Sequence, residues 1–145
     1  MPHLFLTGYE KESIEEFIQK LHNANITTVI DVREIPLSRK SGFSKINLEK
    51  TLREEGIDYF HFQEMGSPSS IRNQLRKDGD YLKFFIEYRM YAKRKIHILK
   101  SISEIIKSRE HSALMCFEKD CELCHRSIIA SELLKLNRNL RVTPI

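Results

Sequence analysis

The stretch HLFLTGYEKESIEEFIQKLHNANITTVIDV (His3–Val32) decides the fold class of this chain. It begins with a short apolar run that ends at Gly8, which is typical of a buried strand followed by a turn. Residues 13–24 then repeat apolar side chains at helical spacing and predict a helix with one apolar face. The β-branched run 27–32 predicts a second buried strand. A strand, a helix and a strand in this order form a βαβ unit, which indicates parallel pairing through a right-handed crossover.

The alternation of strands and helices continues along the rest of the chain. Further strands are predicted at residues 58–62, 112–117 and 140–143, and further helices at 48–55, 80–107 and 125–136. Asn47 is the expected N-cap of the helix that begins at Leu48, and a break near Arg94 and Lys95 divides the long helical segment. We therefore expect residues 1–145 to form a single three-layer α/β domain, with a mostly parallel sheet of four to five strands flanked by helices.

Composition narrows the class of protein. Of the 145 residues, 41% are hydrophobic and 30% are charged, which is ordinary for a soluble globular domain. No apolar run has the length of a membrane span and the N-terminus lacks the basic flank of a signal peptide, so we expect a cytoplasmic protein with no membrane partner. Three cysteines without a secretory signal predict reduced thiols. The net charge of +4 favours anionic partners, although a uniformly solvated surface accounts for it equally well.

The segments that follow the predicted strands hold nearly all of the unusual chemistry of the chain. They begin at Gly8, Asp31, His61 and Cys116. In parallel α/β sheets, ligands bind outside the carboxyl ends of the strands. We therefore expect one functional site, built from these four segments, at the carboxyl edge of the sheet.

The segment after the second strand, REIPLSRKSGFSK (residues 33–45), is a long basic loop. Its cations, hydroxyls and single aromatic ring suit a phosphate-bearing ligand, either a nucleotide or a nucleic acid, with Phe43 stacking on a base. The alternative is a solvated loop whose Phe43 packs in the core. Asp31 either accepts hydrogen bonds from the loop backbone or orients the nearby cations. The candidate ligand-binding residues are Asp31, Arg33, Ser38, Arg39, Phe43, Lys45, Cys116 and Arg126.

The only cysteines of the chain lie close together in the pattern Cys116-x4-Cys121-x2-Cys124-His125. These are possible soft metal ligands, but one CxxC without a second pair is a weak metal motif, and the neighbours Cys124 and His125 are awkward ligands for a single ion. A thiolate at Cys124 would be stabilised by the start of the last helix and by Arg126. The same helix N-terminus would equally hold an anionic group of a ligand, with Cys124 as a packing residue.

Three functional hypotheses follow from these segments. The leading one is binding of a phosphate-bearing ligand, and the alternatives are a thiol-dependent enzyme or redox protein using Cys116 and Cys124, or a metal-binding module. If the protein is an enzyme, Glu118 and His125 are the candidate proton-transfer groups and Cys124 is the candidate nucleophile. Neither a cofactor nor an oligomeric state is indicated by these residues.

The order of the segments TGYE, VIDVREIPLSRKSGFSK, GIDYFHFQEMGSP and ALMCFEKDCELCHRSIIA resembles the prokaryotic family known as domain of unknown function 488, over nearly the whole chain. The family pattern falls on Gly8, Asp31, Arg33, Pro36, Ser38, Arg39, Phe43, Lys45, Gly66, Cys116, Glu118, Cys124, His125 and Arg126. Cys121 lies outside this pattern, which weakens the metal hypothesis. The resemblance supports the α/β fold and the location of the site, and it implies no reaction.

Overall fold

A computed structural model describes all residues from Met1 to Ile145. Its strands are β1 (His3–Gly8), β2 (Thr28–Asp31), β3 (Asp58–His61), β4 (His111–Cys116) and β5 (Arg141–Pro144). They form one sheet in the order β3-β2-β4-β1-β5, and every pair of neighbours is parallel. The predicted parallel α/β sheet is therefore confirmed, with five strands.

Six α-helices connect the strands. They are α1 (Ile14–Asn23), α2 (Lys45–Glu54), α3 (Ser69–Asp78), α4 (Tyr81–Arg94), α5 (Ile96–Lys107) and α6 (Arg126–Leu136). The predicted break in the long helical segment is confirmed at Lys95. No helix has both the length and the apolar character needed to cross a bilayer.

The predicted start of α2 is wrong. Ser44, and not Asn47, occupies the N-cap position, and the helix begins at Lys45. The backbone N–H of Lys45 donates to the carbonyl of Pro36 over 2.8 Å, which ties the first turn of the helix to the beginning of the basic loop. This long-range contact is invisible to a local capping rule.

Helices cover both faces of the sheet. On one face α1 and α2 pack buried side chains such as Phe17 and Leu48 against the strands. On the other face α4, α5 and α6 contribute Tyr88, Leu99 and Ile129 to a second buried cluster. Each fully buried side chain of this kind contributes about 1.5–3 kcal/mol of transfer free energy. The predicted three-layer architecture is confirmed.

The strand registers bring the carboxyl ends together. Gly8 at the end of β1 lies opposite Cys116 at the end of β4. Asp31 at the end of β2 lies opposite Met115 on one side and His61 on the other. The four segments expected to build a site therefore leave the sheet side by side.

Two close backbone approaches shape this edge. A Cβ atom at Gly8 would lie under 3.0 Å from the carbonyl oxygen of Glu118, and one at Gly66 would lie under 3.0 Å from the backbone nitrogen of Glu34. Real Cβ atoms essentially never approach backbone this closely. Both positions require glycine because there is no room for a side chain. These contacts fix the loops of neighbouring strands against each other.

Candidate functional site

Two adjoining cavities, of about 410 and 320 Å³, open at the carboxyl edge of the sheet. They share five lining residues, namely Ser67, Arg72, Arg76, Glu118 and His125, and we treat them as one site, the carboxyl-edge cleft. Cavities of this size are typical of small-molecule sites. A larger groove of about 660 Å³ runs along α1, but it is lined by none of the predicted site residues.

A buried ion pair between Asp31 and Arg33 supports the wall of the cleft. The Arg33 side chain donates to both carboxylate oxygens, through Nε over 2.9 Å and through Nη2 over 2.7 Å. Nη1 donates to the carbonyl of Phe43 and to the hydroxyl of Tyr9. The Tyr59 hydroxyl donates to Asp31 over 2.6 Å. The pair therefore joins β2, β3, the basic loop and the turn after β1.

Both interpretations of Asp31 hold in this structure. Its carboxylate accepts from the backbone N–H of Arg33 as well as from the guanidinium. Burial and the charge of Asp31 raise the pKa of Tyr59, so that its hydroxyl stays a donor. Burial would lower the pKa of Arg33, but the hydrogen bonds and charge of Asp31 outweigh it and raise that pKa. Arg33 thus faces the cleft with its guanidinium largely engaged by protein acceptors, and it positions the basic loop.

The role predicted for Phe43 is wrong. Its ring is fully buried and stacks on Tyr9 with a centroid separation of 4.3 Å, so it has no surface to offer a base. Gly42 adopts a φ of +90° just before it, and the Arg33 guanidinium captures the Phe43 carbonyl. These two constraints turn the ring into the core, which is the alternative that the sequence left open.

The remaining predicted residues of the basic loop separate into two groups. Ser38 and Arg39 line the carboxyl-edge cleft, and Arg39 is exposed. Lys45 is exposed in a different groove, beside Ile46 and Asn47 at the start of α2. The structure therefore does not bring Lys45 to the cleft, because its backbone is held by the carbonyl of Pro36.

Arg126 is buried and does not line the cleft, so its predicted contact with ligand phosphates is wrong. Its Nη2 donates to the carbonyl of Glu118, and its Nε and Nη1 have no protein partner. The guanidinium lies beside Gly8, where a Cβ atom would be 3.1 Å from Nη1. Arg126 therefore lies between the end of β1 and the loop after β4, in the interior.

Several residues that line the cleft were not among the predicted site residues, and three of them bear on its chemistry. Arg72 and Arg76 come from α3, and Phe117 follows β4 directly. The spacing of four between the two arginines predicts from the sequence that they share one helix face and extend a basic surface, although neither was assigned to the site. Phe117 is 44% exposed although the five residues before it, Ser112–Cys116, are buried, and a large aromatic ring at a strand end is a signal of this kind.

A cluster of Cys116, Cys124 and His125 forms the floor of the cleft. All three side chains are buried, and their sulfur and nitrogen atoms lie within 4.8 Å of one another. The Cys124 Sγ is 3.4 Å from the His125 Nδ1, and the His125 Nε2 is 2.8 Å from the carbonyl of Val32. Cys121 is only partly buried and lies outside this cluster.

The backbone explains how adjacent residues can face one point. Cys124 is extended, with φ −138° and ψ 151°, whereas His125 is helical, with φ −60° and ψ −16°. This change of conformation directs the two side chains toward each other. The expectation that the adjacent residues Cys124 and His125 cannot easily face a single ion is therefore wrong.

The cluster also shifts the pKa values of its members. Burial would raise the pKa of Cys124, but a hydrogen bond from Cys116 and the charge of His125 hold it well below its ordinary value. The pKa of Cys116 is raised by that hydrogen bond and by burial. Burial and the charge of Cys124 raise the pKa of Glu118. Burial would lower the pKa of His125, but the charge of Cys124 raises it. The cluster is equipped both for thiolate chemistry and for binding a soft metal ion.

Comparison with known families identifies the chain. The family model described as Domain of unknown function DUF488 matches residues 13–133. The chain belongs to the DUF488 family. The resemblance seen in the sequence is thereby confirmed. Neither a search of curated proteins nor a search of solved structures finds a match.

The family match covers most of the site of this DUF488 protein. It includes Asp31, the basic loop, α3 and the cysteine cluster, and it begins after Gly8. The family is named for an unknown function, so it supplies no reaction. The residues of the carboxyl-edge cleft therefore provide the evidence for function.

Proposed function

We propose that this DUF488 protein binds a small phosphate-bearing ligand, such as a nucleotide, in the carboxyl-edge cleft. The observation that carries this proposal is the pair Arg39 and Arg76. Both side chains line the cleft and are exposed, and neither forms an ion pair with a carboxylate. A guanidinium presents a planar fork of donors that matches the oxygens of a phosphate.

Arg72 has a different role from these two arginines. Its guanidinium donates to Glu34 over 3.0 Å and to the hydroxyl of Ser69 over 3.1 Å, and also to the carbonyl of Ser67. These bonds tie the first turn of α3 to the loop after β2. Arg72 therefore holds the wall from which Arg76 projects, and its own charge is largely compensated by Glu34.

The charge distribution favours a small ligand over a nucleic acid. Four acidic residues line the same cleft, namely Glu10, Glu34, Glu118 and Asp120. An extended polyanion would meet these carboxylates along its backbone, whereas a compact ligand places its phosphate at Arg39 and Arg76 alone. The cleft volume also lies in the range of small-molecule sites.

Phe117 supports the choice of a nucleotide. It lines the cleft, is 44% exposed, and packs edge-on against Tyr9 with a centroid separation of 5.4 Å. The contact with Tyr9 supports one edge of the Phe117 ring while nearly half of the residue remains accessible. Base stacking, which was predicted for Phe43, is therefore assigned to Phe117 in this proposal.

Replacing either free arginine is expected to weaken binding of ATP and of inorganic phosphate. Arg39→Gln and Arg76→Gln each remove a charge-assisted contact, which corresponds to about 1.5–3 kcal/mol, or roughly a 10- to 100-fold rise in Kd. Isothermal titration calorimetry at two salt concentrations measures this change. Wild-type binding should also weaken with salt, because part of the affinity is electrostatic.

The matched control is Arg138→Gln. Arg138 is exposed, forms no ion pair, and lies between α6 and β5, away from the carboxyl ends of the strands. This variant should bind ATP as the wild type does. Equal affinity in all three variants would contradict the proposal, and so would a wild-type protein that binds single-stranded DNA but neither ATP nor phosphate.

Replacing Phe117 should separate base recognition from phosphate recognition. Phe117→Leu keeps an apolar side chain but removes the ring, and stacking on an aromatic ring contributes about 1–3 kcal/mol per base. We expect a roughly 5- to 100-fold rise in the Kd for ATP and an unchanged Kd for inorganic phosphate. An equal effect on both ligands, or an effect on neither, would argue against a stacked base.

We also propose a cytoplasmic location. Cys116, Cys121 and Cys124 are all free thiols in this structure. A reducing compartment keeps thiols in this form, whereas disulfides persist in oxidising ones. Cell fractionation with detection of the native protein tests this location, and recovery from an oxidising compartment would contradict it.

A further inference from the structure

We infer that Cys116, Cys124 and His125 bind one zinc ion at the floor of the carboxyl-edge cleft, with a fourth coordination position open to the cleft. This inference goes beyond ligand binding by the arginines and does not depend on it. The three side chains converge from the end of β4 and from the start of α6. They are buried, and none is used by a disulfide.

The separations between the ligand atoms fit a single ion. Zinc binds thiolate at about 2.3 Å and imidazole nitrogen at about 2.0–2.1 Å, so neighbouring ligand atoms of a tetrahedral site lie roughly 3.5–3.8 Å apart. The Cys124 Sγ and the His125 Nδ1 are 3.4 Å apart, close to that range. No pair in the cluster exceeds 4.8 Å, so the atoms need to close by about 1 Å at most.

The histidine is oriented as a metal ligand requires. Its Nε2 donates to the carbonyl of Val32 over 2.8 Å, so in the neutral imidazole, the form that binds a metal, the Nδ1 lone pair is directed at the cysteines. Hydrogen bonding of the second ring nitrogen to a carbonyl is the usual support of a ligating histidine. The ring of Tyr88 also packs edge-on against the His125 ring, with a centroid separation of 5.2 Å, and restricts its rotation.

The charges around the cluster also favour a divalent cation. Two thiolates neutralise zinc, so the buried site carries no net charge once the ion is bound. Next to the cluster, Glu118 has a buried oxygen, Oε2, with no protein partner. A buried carboxylate oxygen left unsatisfied costs free energy, and a cation in the cleft would satisfy it.

The type of ligand favours zinc over hard cations. Thiolates and imidazole select zinc over magnesium or calcium, which prefer oxygen. Three protein ligands with an open position are typical of catalytic zinc sites, whereas structural sites have four. Glu118, Cys124 and His125 all line the cleft, so the open position faces it. An oxygen of a ligand bound there would be polarised by the ion.

Metal analysis of the full chain tests the inference. Protein reduced and reconstituted with ZnSO₄ under anaerobic conditions, then dialysed, should retain one zinc per chain. X-ray absorption at the zinc edge should show two sulfur neighbours at about 2.3 Å and lighter neighbours at about 2.0–2.1 Å. Because both measurements use the wild-type protein, they do not depend on the folding of any variant. Zinc absent after reconstitution, or zinc with no sulfur neighbour, would overturn the inference.

Variants then locate the site. Cys124→Ser and His125→Asn should lose stoichiometric zinc, and Cys121→Ser, the matched control outside the cluster, should retain it. If a variant fails to fold, the Co²⁺ spectrum of Cys121→Ser decides instead: thiolate-to-cobalt charge transfer supports the site, and its absence overturns it. A Cys116–Cys124 disulfide that persists after anaerobic reduction would also overturn it. Arg76→Gln should bind zinc normally, so failure of nucleotide binding and failure of zinc binding are distinguishable.

Discussion

Replacing Asp31 with alanine is expected to lower the free energy of unfolding by about 3–5 kcal/mol, because it leaves a buried guanidinium without its counter-charge. Asp31 is fully buried and Arg33 is 5% exposed. In the variant, the Arg33 side chain keeps only the Tyr9 hydroxyl and the Phe43 carbonyl as acceptors. Urea unfolding followed by circular dichroism measures the change, which should appear as a lower midpoint with a similar slope.

Two control variants distinguish this effect from the loss of a single bond. Tyr59→Phe removes only one donor to the carboxylate, and we expect a loss of about 1.5–3 kcal/mol. Glu49→Ala breaks the exposed pair with Arg53 on α2, where ion pairs contribute about 0.3–0.5 kcal/mol. If Asp31→Ala lowered the free energy of unfolding no more than Tyr59→Phe does, the ion pair between Asp31 and Arg33 would not be a main source of stability.

The same substitution should disturb the cleft. Arg33 holds the Phe43 carbonyl and thereby the loop that carries Arg39. Without Asp31 to orient the guanidinium, this loop loses its anchor to β2. We therefore expect weaker binding of inorganic phosphate in Asp31→Ala, even under conditions in which the variant is fully folded.

Replacing Gly8 with alanine is expected to cost about 1–3 kcal/mol of stability, as overpacking of a filled interior does, and to impair the cleft as well. The new Cβ would lie under 3.0 Å from the Glu118 carbonyl, whereas ordinary contacts lie at 3.4–4 Å. Because the obstacle is backbone, the loop after β4 must move. That movement breaks the hydrogen bond from Arg126 to the Glu118 carbonyl and displaces Glu118.

Gly56→Ala is the matched control for this prediction. Gly56 has a φ of +73° and no atom within 4 Å of its potential Cβ, so alanine there introduces backbone strain of about 1–2 kcal/mol without a clash. Both variants should unfold at lower urea concentration, but only Gly8→Ala should also change the Kd for ATP. Wild-type affinity for ATP in folded Gly8→Ala would show that the loop after β4 adapts to the extra methyl group.

Much of this architecture was encoded locally and could be predicted. The β-branched run before Asp31 and the helical spacing of residues 13–24 each depend on neighbours along the chain, so their periods indicate strand and helix directly. Parallel pairing then requires all strands to point the same way, which brings Gly8, Asp31, His61 and Cys116 to one edge. The contact of Asp31 with Arg33 was predictable because only one residue separates them.

The direction and burial of individual side chains were decided by tertiary structure. Phe43 and Arg126 are residue types that often bind ligands. Phe43 is nevertheless held in the interior by its contact with Tyr9, and Arg126 by its hydrogen bond to the Glu118 carbonyl. Arg76 reaches the cleft only because α3 packs beside the loop after β2, through the bonds of Arg72.

The sequence by itself therefore determined the α/β layers and the edge at which a site forms, because hydrophobic period and strand direction are properties of short segments. Only the folded chain decided which cations remain free at that edge. It also decided that Cys124 and His125 face Cys116. Such facts depend on contacts between residues distant in sequence, which no local pattern records.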